Sequence, residues 1–319
     1  MSTPTFPAPA IPMRPASAAP RLPQRRRPSV RAAWRWENRK APNRWYWPVT
    51  AILNALSLAS GYAQYVSERD IFVSQGVTWE ILWAQAMILG AMLFLPLTIG
   101  GFTAQMATGE HEGRNWQRMT AGRLETAMIA GKLLHGLQVG FLTSLVFFIE
   151  FAATGMLLGF DLTGLAPFLP RIVTMALAVW AIEVFVMWVG AVLKSFAAIT
   201  ITVLIGVVLG FPLSTMMPPL AVLDPLALLT SASAARSLED ISSPGSLLAS
   251  SIICLVWVGV PTLALRRSVK KQSRRRLRWI RLTTLLTPPV AAPQSPTAAH
   301  PGIQHIPRPH RPHRIRPLL

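Results

Sequence analysis

Two carboxylates, Glu150 and Glu183, interrupt long apolar runs of this chain. An ionisable group in such a run costs several kcal/mol unless it faces protein, water or an opposite charge. A proton relay would use such groups. A polar contact between helices, or a carboxyl kept neutral by burial, would use them equally well. The two lie on different runs, and His135 sits near the inner end of one of them. No pairing of carboxylates, or of His with Asp, at one depth compels acid–base or nucleophilic chemistry. The lone Gly-Lys pair, Gly131-Lys132, has Thr126 where a phosphate loop needs its first Gly and Leu133 where it needs Ser or Thr. The chain is therefore expected not to bind or hydrolyse ATP itself. Cys254 is the single cysteine, which rules out an internal disulfide or a cysteine-based zinc site. It reads as a packing residue. His300, His305, His310 and His313 stand among Pro and Arg as an incidental low-complexity tract. No catalytic residue, metal or resident cofactor is expected.

The charges with more to say lie in one loop. Residues 109–123 carry Glu110, Glu112, Arg114, Arg118 and Arg123, with Asn115 between them and Glu125 just beyond. Trp116 and Met119 fall on roughly one face of the short helix this segment would form. Such a helix suits docking of a soluble partner, because aromatic residues and Arg carry much of the energy at interfaces. The alternative is a helix whose Trp rests among lipid headgroups.

Long apolar elements flank this loop. Hydrophobic residues make up 51% of the chain and charged residues 14%, too little charge to solvate a water-soluble domain of this size. A membrane-crossing helix needs about 20 mostly apolar residues. Six runs qualify, near 48–66, 82–107, 130–157, 172–193, 196–217 and 247–265. They are too long and continuous for the strands of a membrane barrel. The fold class expected is an all-α, multi-pass integral membrane protein with six transmembrane helices. The net charge of +18 raises the question of nucleic acid, but its placement answers otherwise. Of 31 basic residues, only Arg69, Arg171 and Arg236 fall in the alternate loops, the rest lying on the side of both termini. Basic residues close to the spans mark the cytoplasmic face, so both amino and carboxy termini are expected inside. Membrane lipid, not nucleic acid, is the expected polyanionic neighbour. The first 45 residues lack the apolar core of a cleavable signal, so the first span is expected to act as the insertion signal.

Three segments follow. Residues 1–45 are Pro-, Ala- and Arg-rich and expected to be disordered. They end in an interfacial lead-in, where Trp34, Trp36, Trp45 and Tyr46 alternate with Arg31, Arg35, Arg39, Lys40 and Arg44. Residues 46–266 form the six-span domain. Residues 267–319 form a basic, Pro/His/Arg-rich cytoplasmic tail, expected to be largely disordered. Within the domain, Gly136-x3-Gly140 and Gly206-x3-Gly210 allow close helix approach. The Lys194-Ser195 turn forces an antiparallel hairpin. The Pro-interrupted stretch 218–230 is expected to fold back as a surface or re-entrant helix pair.

The order of an apolar span, Glu110-His-Glu-Gly-Arg-Asn-Trp-Gln-Arg118, then Arg123, then Gly131-Lys-Leu-Leu134 resembles the permease subunits of ABC-2-type exporters. The resemblance is greatest to those of lantibiotic-immunity transporters. It covers about residues 46–266 and extends to the 196–210 run and the Pro-rich outer loop. The family often has Pro shortly before the Arg, where this chain reads Thr120-Ala-Gly-Arg123. The resemblance implies a coupling helix in the loop after span two, docked on a separate ATP-binding-cassette subunit that holds ATP and Mg. Glu110, Glu112, Asn115, Trp116 and Arg118 would then touch that subunit, and Arg123 would anchor the next span. It also implies a second permease copy or paralogue. The protein would work in a bacterial plasma membrane, exporting an antimicrobial peptide or similar amphipathic compound for self-protection. The other classes are a membrane anchor or sensor with basic tails, and an intramembrane enzyme.

Overall fold

The computed structural model describes residues 29–40, 44–122 and 124–286, with side chains as far as Lys271 apart from Thr120 and Leu238. Arg123 and the segments expected to be disordered, 1–28 and 287–319, lie outside them. The chain divides into units over Met1–Arg275 and Arg276–Leu319, and the second is helical as far as Leu286.

All regular structure among the described residues is helical. Helix α1 (Val30–Lys40) is amphipathic, with Ala33 and Glu37 buried and Arg31, Arg35, Trp36 and Arg39 exposed. Next come α2 (Tyr46–Ser67), the short α3 (Arg69–Ser74) and α4 (Trp79–Leu89). A π-helical turn, Gly90–Phe94, joins α4 to α5 (Leu95–Glu112). Pro96 lacks an N–H and crowds the carbonyl four residues back, which favours the widened turn. Helix α6 (Asn115–Ala121) follows after Gly113 and Arg114, the latter at φ +50°. Then come α7 (Glu125–Leu157), a 3-10 turn at Leu162–Phe168, α8 (Leu169–Leu193) and α9 (Phe196–Met216). The segment between α9 and α12, expected on the outer side, contains α10 (Pro218–Ala221) and α11 (Leu228–Ser233), and α12 (Pro244–Leu286) ends the described chain.

Five of these stretches are long and apolar enough to cross a membrane: Trp79–Glu112, Glu125–Leu157, Leu162–Leu193, Phe196–Met216 and Pro244–Lys271. The first of the six expected spans corresponds to α2, whose 22 residues suffice in length. It is diluted by Thr50, Asn54 and Ser57, all buried toward the other helices. Helix α12 also runs beyond the expected end of its span. Residues 267–286 contain no Gly or Pro and are rich in Arg, Lys, Gln and Leu, good helix formers.

The core is aromatic. Trp79, Trp83, Phe147, Phe151 and Phe168 are fully buried, and Trp83 meets Phe151 edge-on at 5.1 Å. Such pairs add about 0.5–1.5 kcal/mol beyond area burial. Glycines set how closely helices meet. A Cβ on Gly140 would stand 2.6 Å from the Ala176 carbonyl oxygen, so α7 touches the α8 backbone there. Gly206 and Gly210 serve differently, receiving Leu226, Ala227 and Asp224 of the outer segment instead of a helix.

That segment folds onto the bundle, and its carbonyls are met by side-chain donors from three helices. Trp83 Nε1 donates to Ser233 O (2.9 Å), and Thr174 Oγ1 to Ala232 O (2.7 Å). Trp257 Nε1 donates to Val222 O (2.8 Å). Arg171, fully buried, donates to the carbonyls of Ile241 (2.9 Å), Ala232 (3.2 Å) and Asp240 and to the Ser246 hydroxyl (3.0 Å). Non-helical backbone is tolerable at membrane depth only when enclosed in this way.

Candidate coupling site

The turn between α8 and α9 closes with Lys194 at φ +60°, its N–H bonded to Gly190 O (3.3 Å). The same carbonyl accepts from His111 Nε2 at 2.8 Å, which ties the end of α5 to the end of α8. Helix α6 leaves α5 through Gly113 and Arg114 and lays Trp116 and Met119 inward. Both are buried, in a cluster with Ala191 of α8 and Leu265 and Val269 of α12. One short helix thus rests on the ends of several long ones.

Beside it lies a group of charges. Lys132 on α7 is 3% exposed and donates to Glu37 Oε2 (2.9 Å) and Glu110 Oε1 (2.6 Å). Lys40 pairs with Glu110 and stands 3.5 Å from Glu37 Oε1. The Lys132 ammonium lies 5.7 Å from the centre of the Trp116 ring, within cation–π range. Two cations and two carboxylates balance, as buried charges must. Three elements meet here: α1 supplies Glu37 and Lys40, α5 supplies Glu110 and α7 supplies Lys132. Close approach is needed, and Gly131 gives it. A Cβ there would stand 2.8 Å from both the carbonyl carbon and the Cβ of Ala33. Two further bonds extend the α1–α7 contact, Trp34 Nε1 to Gln138 Oε1 (3.0 Å) and His135 Nδ1 with Asn38 Oδ1 (3.2 Å).

The residues expected to meet a partner are therefore divided. Glu112 and Arg118 are exposed, with Arg114 and Gln117 beside them, and Asn115 is half-buried. Glu110 and Trp116 face the interior of this chain, so neither is offered to an outside protein. The sequence showed α6 to have an apolar face, but the cover for that face comes from α12, almost 150 positions away. The ion cluster was missed altogether. Its signal was present: Glu37 is the first acidic residue in the chain, set among Arg and Lys, and Lys132 opens an apolar run.

Glu150 and Glu183 are not brought together. Glu183 sits against Gly136, whose added Cβ would stand 2.5 Å from its Oε2. Glu150 lies 14 residues further along α7, about 21 Å at 1.5 Å per residue, beside Asn54 of α2.

With this geometry in view, the chain matches the family described as ABC-2 family transporter protein over residues 39–214, more than half its length, and belongs to that family. It is a multi-pass membrane permease subunit, and proteins of this family work with an ATP-binding subunit. No curated protein matches the chain. The matched segment contains α2 to α8 and most of α9, and therefore the whole loop built on α6.

Proposed function

We propose that this chain is the permease of an ATP-driven exporter in a bacterial plasma membrane, with α6 as the lever on which a separate ATPase subunit pushes. In this reading α2 is the first of six spans and both termini are cytoplasmic, as the basic residues favour. ATP and Mg belong to the partner subunit, and a second permease copy or paralogue completes the path. The cargo is an amphipathic antimicrobial peptide or a similar compound, removed for self-protection, as the likeness to lantibiotic-immunity permeases suggests.

One observation carries the mechanical part. The inner side of α6 packs against α8 and α12 through Trp116 and Met119, while Arg118 on its far side and Glu112 at the end of α5 are exposed. A push on that far side reaches several spans at once. ATP needs only to favour one of two packed arrangements, and a rigid contact conveys that bias.

The test is affinity purification from native membranes together with products of neighbouring genes. An ATP-binding-cassette protein should co-purify. Glu112→Arg with Arg118→Glu should abolish that association at unchanged melting temperature, because both side chains are exposed. Trp116→Ala should instead lower the melting temperature. Absence of such a partner, or association indifferent to the charge reversal, would sink the proposal.

A further inference from the structure

We propose that the cavity around Glu183 is a binding site for a monovalent organic cation carrying an apolar substituent. The inference rests on the export reading in one respect only, that the ligand would be cargo or a cargo fragment. The cavity has a volume of about 280 Å³ and is lined by residues of α1, the start of α2, α5, α7 and α8. Glu183 is 7% exposed and lines it. Among the described residues no hydrogen-bond donor or basic group reaches the Glu183 carboxylate, so it faces the cavity without a partner. Three polar neighbours are engaged elsewhere. His135 is bonded to Asn38, Gln138 accepts from Trp34, and the Tyr46 hydroxyl pairs with Thr143 at 2.7 Å. Lys132 and Lys40 are matched by Glu37 and Glu110, and Glu183 is the one acidic side chain among the described residues lining the cavity.

The walls indicate the kind of cation. Tyr46 meets Trp47 edge-on at 4.9 Å and Phe102 edge-on at 5.3 Å, and all three line the space. Aromatic walls around one carboxylate are how proteins hold ammonium groups. Met106 and Met187 add polarizable surface that adapts to varied apolar shapes. A hard inorganic cation would need six or so oxygen ligands, and one carboxylate in an aromatic setting does not supply them. Sites for drug-sized molecules run from about 300 to 1,000 Å³, so this cavity takes a cationic head and its first carbons.

Binding is measured by titration calorimetry on the full-length protein in dodecyl maltoside, with empty micelles as the blank. The probe is benzyltrimethylammonium. Saturable binding is expected for the wild type. Glu183→Gln, nearly the same shape without the charge, should weaken it at least tenfold. Trp47→Leu changes a wall residue that is 36% exposed, and it should weaken binding by about two- to fivefold at an unchanged melting temperature. Neopentylbenzene, which has carbon in place of the charged nitrogen, should not displace the probe. No saturable binding by the wild type, equal affinity in Glu183→Gln, or displacement by neopentylbenzene would each overturn the assignment. The assay contains neither ATP nor a partner subunit. Probe binding without a co-purifying ATPase therefore removes the export reading and keeps the site, and ATPase association without probe binding does the reverse.

Discussion

Lys132 shows what a charge inside an apolar helix requires. Its ammonium is enclosed, and the return for losing water comes from Glu37 and Glu110 at 2.9 and 2.6 Å. Removing one member of such a set strands the others. Lys132→Met should therefore cost about 3–5 kcal/mol, read as a lower melting temperature in detergent. Adding Glu37→Gln and Glu110→Gln should restore most of it. If the single and triple variants melt alike, the cluster is not a stability element. Asp224 makes a second, pH-dependent case. Burial pushes its carboxyl above the usual range although Leu226 N–H donates to it at 2.9 Å. A carboxyl with a raised folded pKa binds its proton more tightly in the folded state than in the unfolded one. Its stabilising effect is complete below the unfolded value, near 4, and fades as pH rises through the folded value. Asp224→Asn should thus raise the melting temperature at pH 7, and the gain should shrink toward pH 4.

At the scale of elements, α1 is a surface helix made part of the body by one glycine. Gly131→Leu would drive a side chain into the Ala33–Trp34 backbone, which has no room to yield. Hydrogen exchange over residues 30–40 should rise sharply while α8 and α9 stay protected. Unchanged protection would mean that α1 is held by other contacts. The same helix marks the limit of what the residues alone disclosed. The apolar runs, the short Lys194-Ser195 turn and the helix carrying Trp116 are local patterns, readable from periodicity and length. Glu37 meeting Lys132 joins positions 95 apart, and the cluster that holds Trp116 and Val269 joins two distant helices. Such pairings depend on how helices cross, and no local pattern carries that information. The polar face of α2 was read as part of an ordinary span because Asn54 and its neighbours are too few to break an apolar run, yet all turn inward.

At the scale of the molecule, sidedness is the property on which the export reading depends. Cys254 is buried and is the chain's lone cysteine, so a Cys254→Ser background permits clean mapping. With both termini cytoplasmic, Arg118→Cys should react with a membrane-impermeant maleimide only after the inner face is exposed. Ser74→Cys should react in intact cells. Reaction of both from the same side would refute a crossing by Trp79–Glu112 between them, and with it the six-span reading. The folded outer segment has a consequence for the resting bilayer. Its carbonyls are held by Trp83, Arg171, Thr174 and Trp257, donors spread over α4, α8 and α12. None of those three helices can turn alone without stranding an acceptor in grease. In the proposed exporter the segment therefore yokes these helices, and an opening on that side must move them as a group.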